Sequence, residues 1–279
     1  MRFFIFFLLN ILPLALCYKT CNVLTLGGGG SFGAVEVGIL KDMLDKNIIT
    51  GEFDVIAGIS AGGLNAAYLS YGENIKDNIN SLEDLYTKFT TKNVYKSNCL
   101  FRVLKDWSIF NSKPLEDTIK KILKNKEYNK NNPITLIGST NLNTQKLDIF
   151  RYDKLSKRDQ VDVLMATSAI PILFKPRKIN NCLYVDGGTI ENEILYQVLD
   201  AYPADYYNFT FVCATNKEHL NMKISNIKEY LKSISGLIVN NYVYDIAKIK
   251  NSYFECKKGK INICYPTDPE LMKYSFLDF

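Results

Sequence analysis

The chain of 279 residues is long enough to bury one sizeable core, and its 47% hydrophobic and 23% charged residues are ordinary for a globular protein. The formal net charge of +5 comes from scattered lysines rather than from a basic stripe, so no nucleic-acid partner is expected. With no repeat or linker composition, a single domain over residues 18–279 is the predicted arrangement.

The first seventeen residues differ in composition from the rest of the chain. Arg2 supplies a positive charge, and residues 3–16 form an almost continuous apolar run. A membrane-spanning helix needs about 20 apolar residues, whereas the core of a signal peptide needs about 7 to 15. We therefore predict a signal peptide over residues 1–17 and a protein that is secreted or lies in the lumen of the secretory pathway. An uncleaved anchor or a buried first helix is the alternative.

Secretion would permit disulfides between the cysteines that remain after cleavage. Their wide and irregular spacing leaves the pairing open. The sequence contains no CxxC pair and no Cys/His cluster, so no metal site is expected. The six cysteines concerned are Cys21, Cys99, Cys182, Cys213, Cys256 and Cys264.

Two successive units of strand, glycine-containing turn and helix open the mature chain. The elements predicted from β-forming runs and apolar spacing are a strand over 22–26, a helix over 33–47, a strand over 53–57, a tight turn over 58–62 and a helix over 63–70. Glu36, in the first of these helices, is expected to be solvated or to cap the helix. The glycines lie where the strands end.

Two polar helices, over 75–89 and 114–123, are predicted to form a cap or side lobe around an irregular segment that carries the only tryptophan, Trp107. The chain then continues with strands over 134–140 and 146–150, a helix from Arg158 to about Ala169 that Pro171 stops, a strand that ends at Val185 and a strand over 209–214. This alternation predicts an α/β fold, a three-layer α/β/α sandwich with a mainly parallel central sheet. Its site should lie at the carboxyl ends of the strands.

Apolar residues recur at helical spacing from Ile224 to Ile238, with lysines between them. We expect this helix to pack on the core. A basic amphipathic helix that lies on a membrane interface is the alternative, and it would suit an enzyme that acts on aggregated lipid.

The segment Gly58-Ile59-Ser60-Ala61-Gly62 has the pattern G-x-S-x-G between a predicted strand and a predicted helix. In that context the turn exposes the serine hydroxyl at a helix N-terminus, where the helix dipole favours a developing negative charge. Ser60 is therefore the candidate nucleophile. The alternative is that these residues form an ordinary turn.

A second glycine-rich turn, Gly27-Gly28-Gly29-Gly30-Ser31-Phe32-Gly33, follows the preceding strand. Acyl transfer needs backbone N–H donors aimed at the tetrahedral oxyanion, and the loss of one donor costs about 2.7–4 kcal/mol. Gly29 and Gly30 are the candidate donors. Because the turn also satisfies G-x-G-x-x-G, nucleotide binding is the alternative, with Glu52 or Asp54 as the acid that would bind a ribose.

The base that would activate Ser60 has two candidates. One predicted strand runs into Asp186-Gly187-Gly188, which places a carboxylate at a strand end, where it could accept the serine proton directly. The same three residues could also form a simple turn. The chain has a single histidine, His219, and the order Ser60, Asp186, His219 would fit an α/β-hydrolase triad.

Taken together, these motifs resemble those of the patatin-like phospholipases. The resemblance rests on the turn over 28–33, the serine turn over 58–62 and Asp186-Gly187-Gly188, in that order, and it covers residues 22 to about 195. Ala166-Thr167-Ser168-Ala169-Ile170-Pro171 is similar to the family's approach to its aspartate. The motif glycines are Gly28, Gly33, Gly58, Gly62, Gly187 and Gly188.

The resemblance implies a patatin-like fold, a catalytic dyad of Ser60 and Asp186, and no cofactor or metal requirement. It implies hydrolysis of acyl esters of phospholipids, lysophospholipids or neutral lipids at a membrane or lipid-aggregate surface. Acyl transfer to another acceptor and a catalytically silent lipid-binding protein are the alternatives. The chain departs from the family at Phe32, where a basic residue is common. This departure would shift the preference toward neutral acyl lipids unless Lys175 or Arg177 compensates.

Overall fold

The structure is a computed structural model, and it describes residues 19–72, 74–129, 131–191, 194–213 and 259–264. The predicted signal peptide, the predicted helix over 224–238 and His219 lie outside the described residues. The predictions made for them therefore remain predictions.

The described strands and helices alternate along much of the chain. The strands are β1 (Thr20–Leu26), β2 (Val55–Ile59), β3 (Lys96–Ser97), β4 (Phe110–Asn111), β5 (Ile134–Asn141), β6 (Lys146–Arg151), β7 (Arg177–Ile179), β8 (Cys182–Asp186), β9 (Tyr206–Val212) and β10 (Gly259–Cys264). The helices are α1 (Gly33–Asp45), α2 (Ser60–Leu69), α3 (Ile75–Tyr86), α4 (Thr91–Val94), α5 (Leu100–Asp106), α6 (Lys113–Leu123), α7 (Lys157–Thr167) and α8 (Tyr196–Ala201).

An eight-stranded sheet in the order β10-β9-β1-β2-β5-β8-β7 forms the centre of the fold, and β6 also pairs with β5. The strands from β10 to β5 in this order are parallel to their neighbours, whereas β6, β8 and β7 pair antiparallel. Parallel neighbours require crossover connections, and α1 and α2 supply two of them. The predicted fold class, with a mainly parallel central sheet flanked by helices, is confirmed.

Side chains that alternate along the strands build a core on each face of the sheet. Leu24 and Ile56 belong to a large cluster beneath α1, α2, α3, α6 and α7, whereas Val23 and Val55 point to the opposite face and pack with Val198 of α8. The prediction of a side lobe is wrong for α3 and α6, because their apolar faces belong to the main core. The segment between them forms α4, α5 and the β3–β4 hairpin rather than an irregular loop.

Two further sequence questions are answered for the described residues. Among the described cysteines, Cys21, Cys99, Cys182 and Cys264 are free thiols. Within the described ranges, no helix combines the length and apolarity that crossing a membrane demands.

Candidate active site

Ser60 sits in a turn that reverses the chain within one residue. It directly follows β2, has a left-handed backbone φ of 55°, and is the first residue of α2. Helix α2 therefore begins three residues before the predicted start at residue 63. The positive φ of Ser60 turns the chain in one residue, whereas the prediction assigned residues 58–62 to the turn. A Cβ at Gly58 would lie 2.2 Å from the Gly62 carbonyl oxygen, and one at Gly62 would lie 2.1 Å from the Gly27 carbonyl oxygen. Only glycine fits at either position.

Thr167, the last residue of α7, anchors this turn to the sheet. The Ser60 N–H donates to Thr167 Oγ1 at 2.9 Å, and Thr167 Oγ1 donates to the Gly138 carbonyl of β5 at 2.5 Å. The threonine therefore links the left-handed serine to a central strand. Its role was not identified from the sequence, since nothing in the local pattern connects residues 107 positions apart.

Asp186 lies against the Ser60 hydroxyl. Ser60 Oγ donates to Asp186 Oδ2 at 2.5 Å, and the other carboxylate oxygen accepts the Gly188 N–H at 2.9 Å. The register of β5 explains the approach, because Gly138 pairs with Ile59 of β2 and the next residue, Ser139, pairs with Asp186 of β8. The structure thus brings together the predicted nucleophile and one of the two candidate bases.

The pair is removed from water. Asp186 has no exposed surface, and only 2% of Ser60 is exposed. Burial raises the pKa of the Asp186 carboxyl from its ordinary value of 3.8 to about 7, while the hydrogen bonds from Ser60 and Gly188 act in the opposite direction. A carboxylate with this pKa is a far better proton acceptor near neutral pH than an exposed aspartate.

The glycine-rich turn after β1 lies beside the serine. Gly30 has a φ of 60° and lines the same cleft as Ser60. Within the described part of the chain, the N–H groups of Gly29 and Gly30 donate to no other group. Gly28 precedes them in the turn, and Gly33 begins α1. Gly30, one of the two predicted donors, therefore lies at the cleft that contains Ser60.

The cleft above Ser60 is apolar. Its volume is about 50 Å³, and Leu64, Val94, Leu115 and Phe174 contribute to its walls. A second cleft of about 60 Å³ lies between α2, α3 and α6 and shares Leu64 and Leu115 with the first. None of the described residues that line the first cleft is charged. The larger surface grooves, which are lined in part by charged residues, contain neither Ser60 nor Asp186.

Phe32 and the two candidate cations near the site are all engaged elsewhere. Phe32 is 5% exposed and belongs to a buried cluster with Phe110 and Phe174. Lys175 Nζ donates to Asp106 at 2.8 Å, and Arg177 Nε donates to Asp162 at 2.9 Å. Neither cation therefore takes the place of a basic residue in the glycine-rich turn.

Glu36 is fully buried, so the prediction of a solvated or capping charge is wrong. Asn65 Nδ2 donates to Glu36 Oε2 at 2.8 Å and to the Gly33 carbonyl at 2.9 Å, and the Tyr86 hydroxyl donates to Asn65 Oδ1 at 2.7 Å. Burial holds the pKa of Glu36 well above its ordinary value. The sequence signal for the burial of Glu36 was its position four residues before Leu40, which places it on the buried face of α1.

The acidic residues that would support nucleotide binding lie at the wrong end of the sheet. Glu52 is exposed before β2, and Asp54 accepts the Asn22 N–H at 2.8 Å near the start of β1. The glycine-rich turn follows the other end of β1. The strand direction therefore contradicts the alternative in which Glu52 or Asp54 binds the ribose of a nucleotide held in that turn.

Comparison with known proteins extends this geometry. The family model described as patatin-like phospholipase matches residues 24–205. The chain belongs to the patatin-like phospholipase family. The matched residues of this patatin-like phospholipase include both glycine-containing turns, Ser60 and Asp186. The family and the enzyme class predicted from the motifs, a lipid ester hydrolase, are therefore confirmed.

Several known proteins are similar to this chain over most or part of its length. An uncharacterized protein of Acanthamoeba polyphaga mimivirus is 26% identical over 88% of this chain and 84% of that protein. The cGAMP-activated phospholipase of Vibrio cholerae is 28% identical over 61% of this chain and 54% of that protein. A probable lipid hydrolase of Invertebrate iridescent virus 6 is 28% identical over 63% of this chain and 61% of that protein. The chain thus spans little more than half of the last two relatives.

A solved structure, that of VipD from Legionella pneumophila, is also similar to this patatin-like phospholipase. It has a TM-score of 0.43 and 13% identity, and the match covers 92% of this chain and 64% of VipD.

Within the described residues, His, Cys, Asp and Glu side chains form no group of three or more that could hold a metal ion.

Proposed function

We propose that this protein is a serine acyl hydrolase that cleaves lipid esters through a Ser60–Asp186 dyad and an acyl-enzyme intermediate. One observation carries the proposal, namely the 2.5 Å hydrogen bond from the serine at the sharp turn to a fully buried carboxylate. A serine hydroxyl is a weak nucleophile until a neighbouring base accepts its proton. Asp186 meets the geometric requirement, and its raised pKa suits proton transfer near neutral pH.

In the first half-reaction, Ser60 Oγ bonds to the ester carbonyl carbon while its proton passes to Asp186. The carbonyl oxygen becomes an oxyanion, and the N–H groups of Gly29 and Gly30 and the N-terminus of α2 stabilise its charge. The C–O bond to the alcohol then breaks, and Asp186 returns the proton to the leaving oxygen. In the second half-reaction, water loses a proton to Asp186 and its oxygen bonds to the acyl carbon. The bond from that carbon to Ser60 Oγ then breaks, Asp186 returns the proton to Ser60 Oγ, and the fatty acid leaves.

The apolar cleft supports a fatty acyl group as the part of the substrate held beside Ser60. Its walls offer hydrophobic contact and no charged side chain among the described lining residues, so they favour an acyl chain over a phosphate. With Phe32 buried and Lys175 and Arg177 engaged with carboxylates, neutral glycerides are preferred over phospholipids in this proposal. The wider range that we propose covers phospholipase A-type, lysophospholipase and neutral-lipid esterase activity.

A lipid-release assay tests the function. The purified protein is incubated with phospholipids, lysophospholipids and neutral glycerides, and the released fatty acids are measured. Ser60→Ala should abolish both release and labelling by a fluorophosphonate probe. Ser168→Ala is the matched control, because this second serine also lines the cleft but donates its hydroxyl to the Leu164 carbonyl at 2.6 Å. Labelling that survives in Ser60→Ala and disappears in Ser168→Ala would remove Ser60 from the mechanism.

A further inference from the structure

Helix α5 and its C-terminal cap residue expose four large apolar side chains, which we call the α5 face. Leu100, Phe101, Leu104 and Trp107 are 78%, 74%, 72% and 68% exposed, and no residue of α5 is buried. Leu100, Leu104 and Trp107 follow the i, i+4, i+7 spacing of one helical face. A surface helix of a globular protein ordinarily turns such a stripe toward its core.

The contacts of α5 keep this orientation fixed. Asp106 accepts a hydrogen bond from Lys175 at 2.8 Å, and Val103 and Asp106 are the two half-buried residues of α5, so the side of the helix that carries them faces the protein. Trp107 ends the helix with a left-handed φ of 53°. The helix is thus attached through Val103 and Asp106, and the α5 face is presented to the surroundings.

The α5 face is connected to the wall of the active-site cleft. Directly after it, the N–H groups of Ile109 and Phe110 donate to the carbonyls of Ile172 and Leu173, both at 2.9 Å. Phe110 packs against Phe174 with ring centroids 6.3 Å apart, and Phe174 lines the cleft above Ser60. Ile172, 39% exposed, extends the apolar surface beside α5. The α5 face is therefore linked, through the backbone of residues 109 and 110 and the Phe110 ring, to Phe174 in the wall of the cleft.

Charge favours an anionic partner. Arg102 and Lys105 are exposed on α5, and Lys96 is exposed on the adjoining β3. The single acid of the helix, Asp106, is already engaged with Lys175. Tryptophan prefers the headgroup level of a bilayer, and leucine and phenylalanine enter the acyl boundary, while cations beside them attract anionic headgroups.

We propose that the α5 face docks this protein on the surface of an anionic phospholipid bilayer and so presents the cleft above Ser60 to membrane lipid. The statement that docking presents lipid to Ser60 rests on the proposed function. Binding of the α5 face to the bilayer does not depend on catalysis. Leu100, Phe101 and Leu104 enter the acyl boundary, Trp107 lies among the headgroups, and Lys105, at the flank of the α5 face, contacts their phosphates.

The experiment uses the single tryptophan of the chain as its probe, since Trp107 lies on the α5 face itself. The full chain carrying Ser60→Ala, which cannot consume the lipid, is titrated with vesicles of phosphatidylcholine and of phosphatidylcholine mixed with phosphatidylglycerol. On the mixed vesicles, the emission of Trp107 should shift to shorter wavelength and become protected from iodide, and the protein should sediment with the vesicles. Binding to pure phosphatidylcholine should be weaker, and added salt should weaken binding to the mixed vesicles.

Two variants locate the contact. Leu100→Ser combined with Leu104→Ser should weaken partitioning by about tenfold for each leucine. Ile48→Ser is the matched control, because Ile48 is 63% exposed but follows the far end of α1, at the opposite end of the sheet from Ser60. When the same substitutions are made in the protein that retains Ser60, hydrolysis of a monomeric short-chain ester should be unchanged, and circular dichroism checks their fold.

Equal binding by the leucine and Ile48 variants would overturn the proposal, as would an unshifted Trp107 emission on vesicles. A lipid-independent shift that grows with protein concentration would overturn it too, because the α5 face would then be covered by a second copy. If the Ser60 protein hydrolyses no ester while Ser60→Ala still binds vesicles through the α5 face, the proposed function fails and the docking proposal stands.

Discussion

Replacing Asp186 with asparagine should stabilise the folded protein and inactivate it. The asparagine keeps the size of the side chain and an oxygen that can accept the Gly188 N–H, but it removes the buried carboxyl. The pKa of that carboxyl is about 7 in the folded chain and 3.8 ordinarily. The stability that this raised pKa contributes is complete below the unfolded value and is lost as the pH rises through about 7. At about 1.4 kcal/mol per pH unit, the loss at about pH 8 is about 4 kcal/mol.

Urea unfolding of the wild type and of Asp186→Asn checks this magnitude. The two free energies of unfolding should be similar at about pH 4, and the variant should be more stable by about 4 kcal/mol at about pH 8. The variant should release almost no fatty acid, because an amide cannot accept the serine proton. Glu36→Gln is the control, since it removes another buried carboxyl with a raised pKa but leaves the dyad intact.

A stability difference that does not change with pH would refute this reasoning. So would an Asp186→Asn protein that is less stable than the wild type at about pH 8. Either result would mean that the hydrogen bonds from Ser60 and Gly188 outweigh the cost of burying the charge.

The remaining predictions concern the pH dependence, the oxyanion donors, the histidine and the N-terminus. The kcat/KM of the wild type should rise with pH through about 7, because Asp186 must be ionised to act as a base; a limb near 4 would contradict its burial. Gly30→Ala should lower kcat by about 100-fold or more with little change in KM, whereas Gly38→Ala, at an open position of α1, should have no effect; equal losses would indicate general misfolding. His219→Ala should retain most activity, and a folded but inactive variant would replace the dyad with a triad. Expression through a secretory route should give a mature chain that begins near Tyr18, as mass spectrometry can determine; an intact N-terminus would contradict it.

The sequence by itself determined the family, the fold class and the candidate residues of the site. These features are encoded locally, because glycines at the ends of β-forming runs mark where each strand turns into a helix. A Cβ at Gly58 would lie 2.2 Å from the Gly62 carbonyl oxygen of the same turn, so the need for this glycine is local, whereas a Cβ at Gly62 would meet the Gly27 carbonyl oxygen of the neighbouring turn.

Only the tertiary structure decided which side chains meet and how they are solvated. Ser60 and Asp186 are 126 positions apart, and they touch because adjacent residues of β5 pair with the ends of β2 and β8. The burial of Glu36, the raised pKa of Asp186 and the outward orientation of α5 follow in the same way from the packing of distant segments. Strand register and solvent exposure depend on long-range contacts, whereas turn chemistry and helical periodicity depend on neighbouring residues.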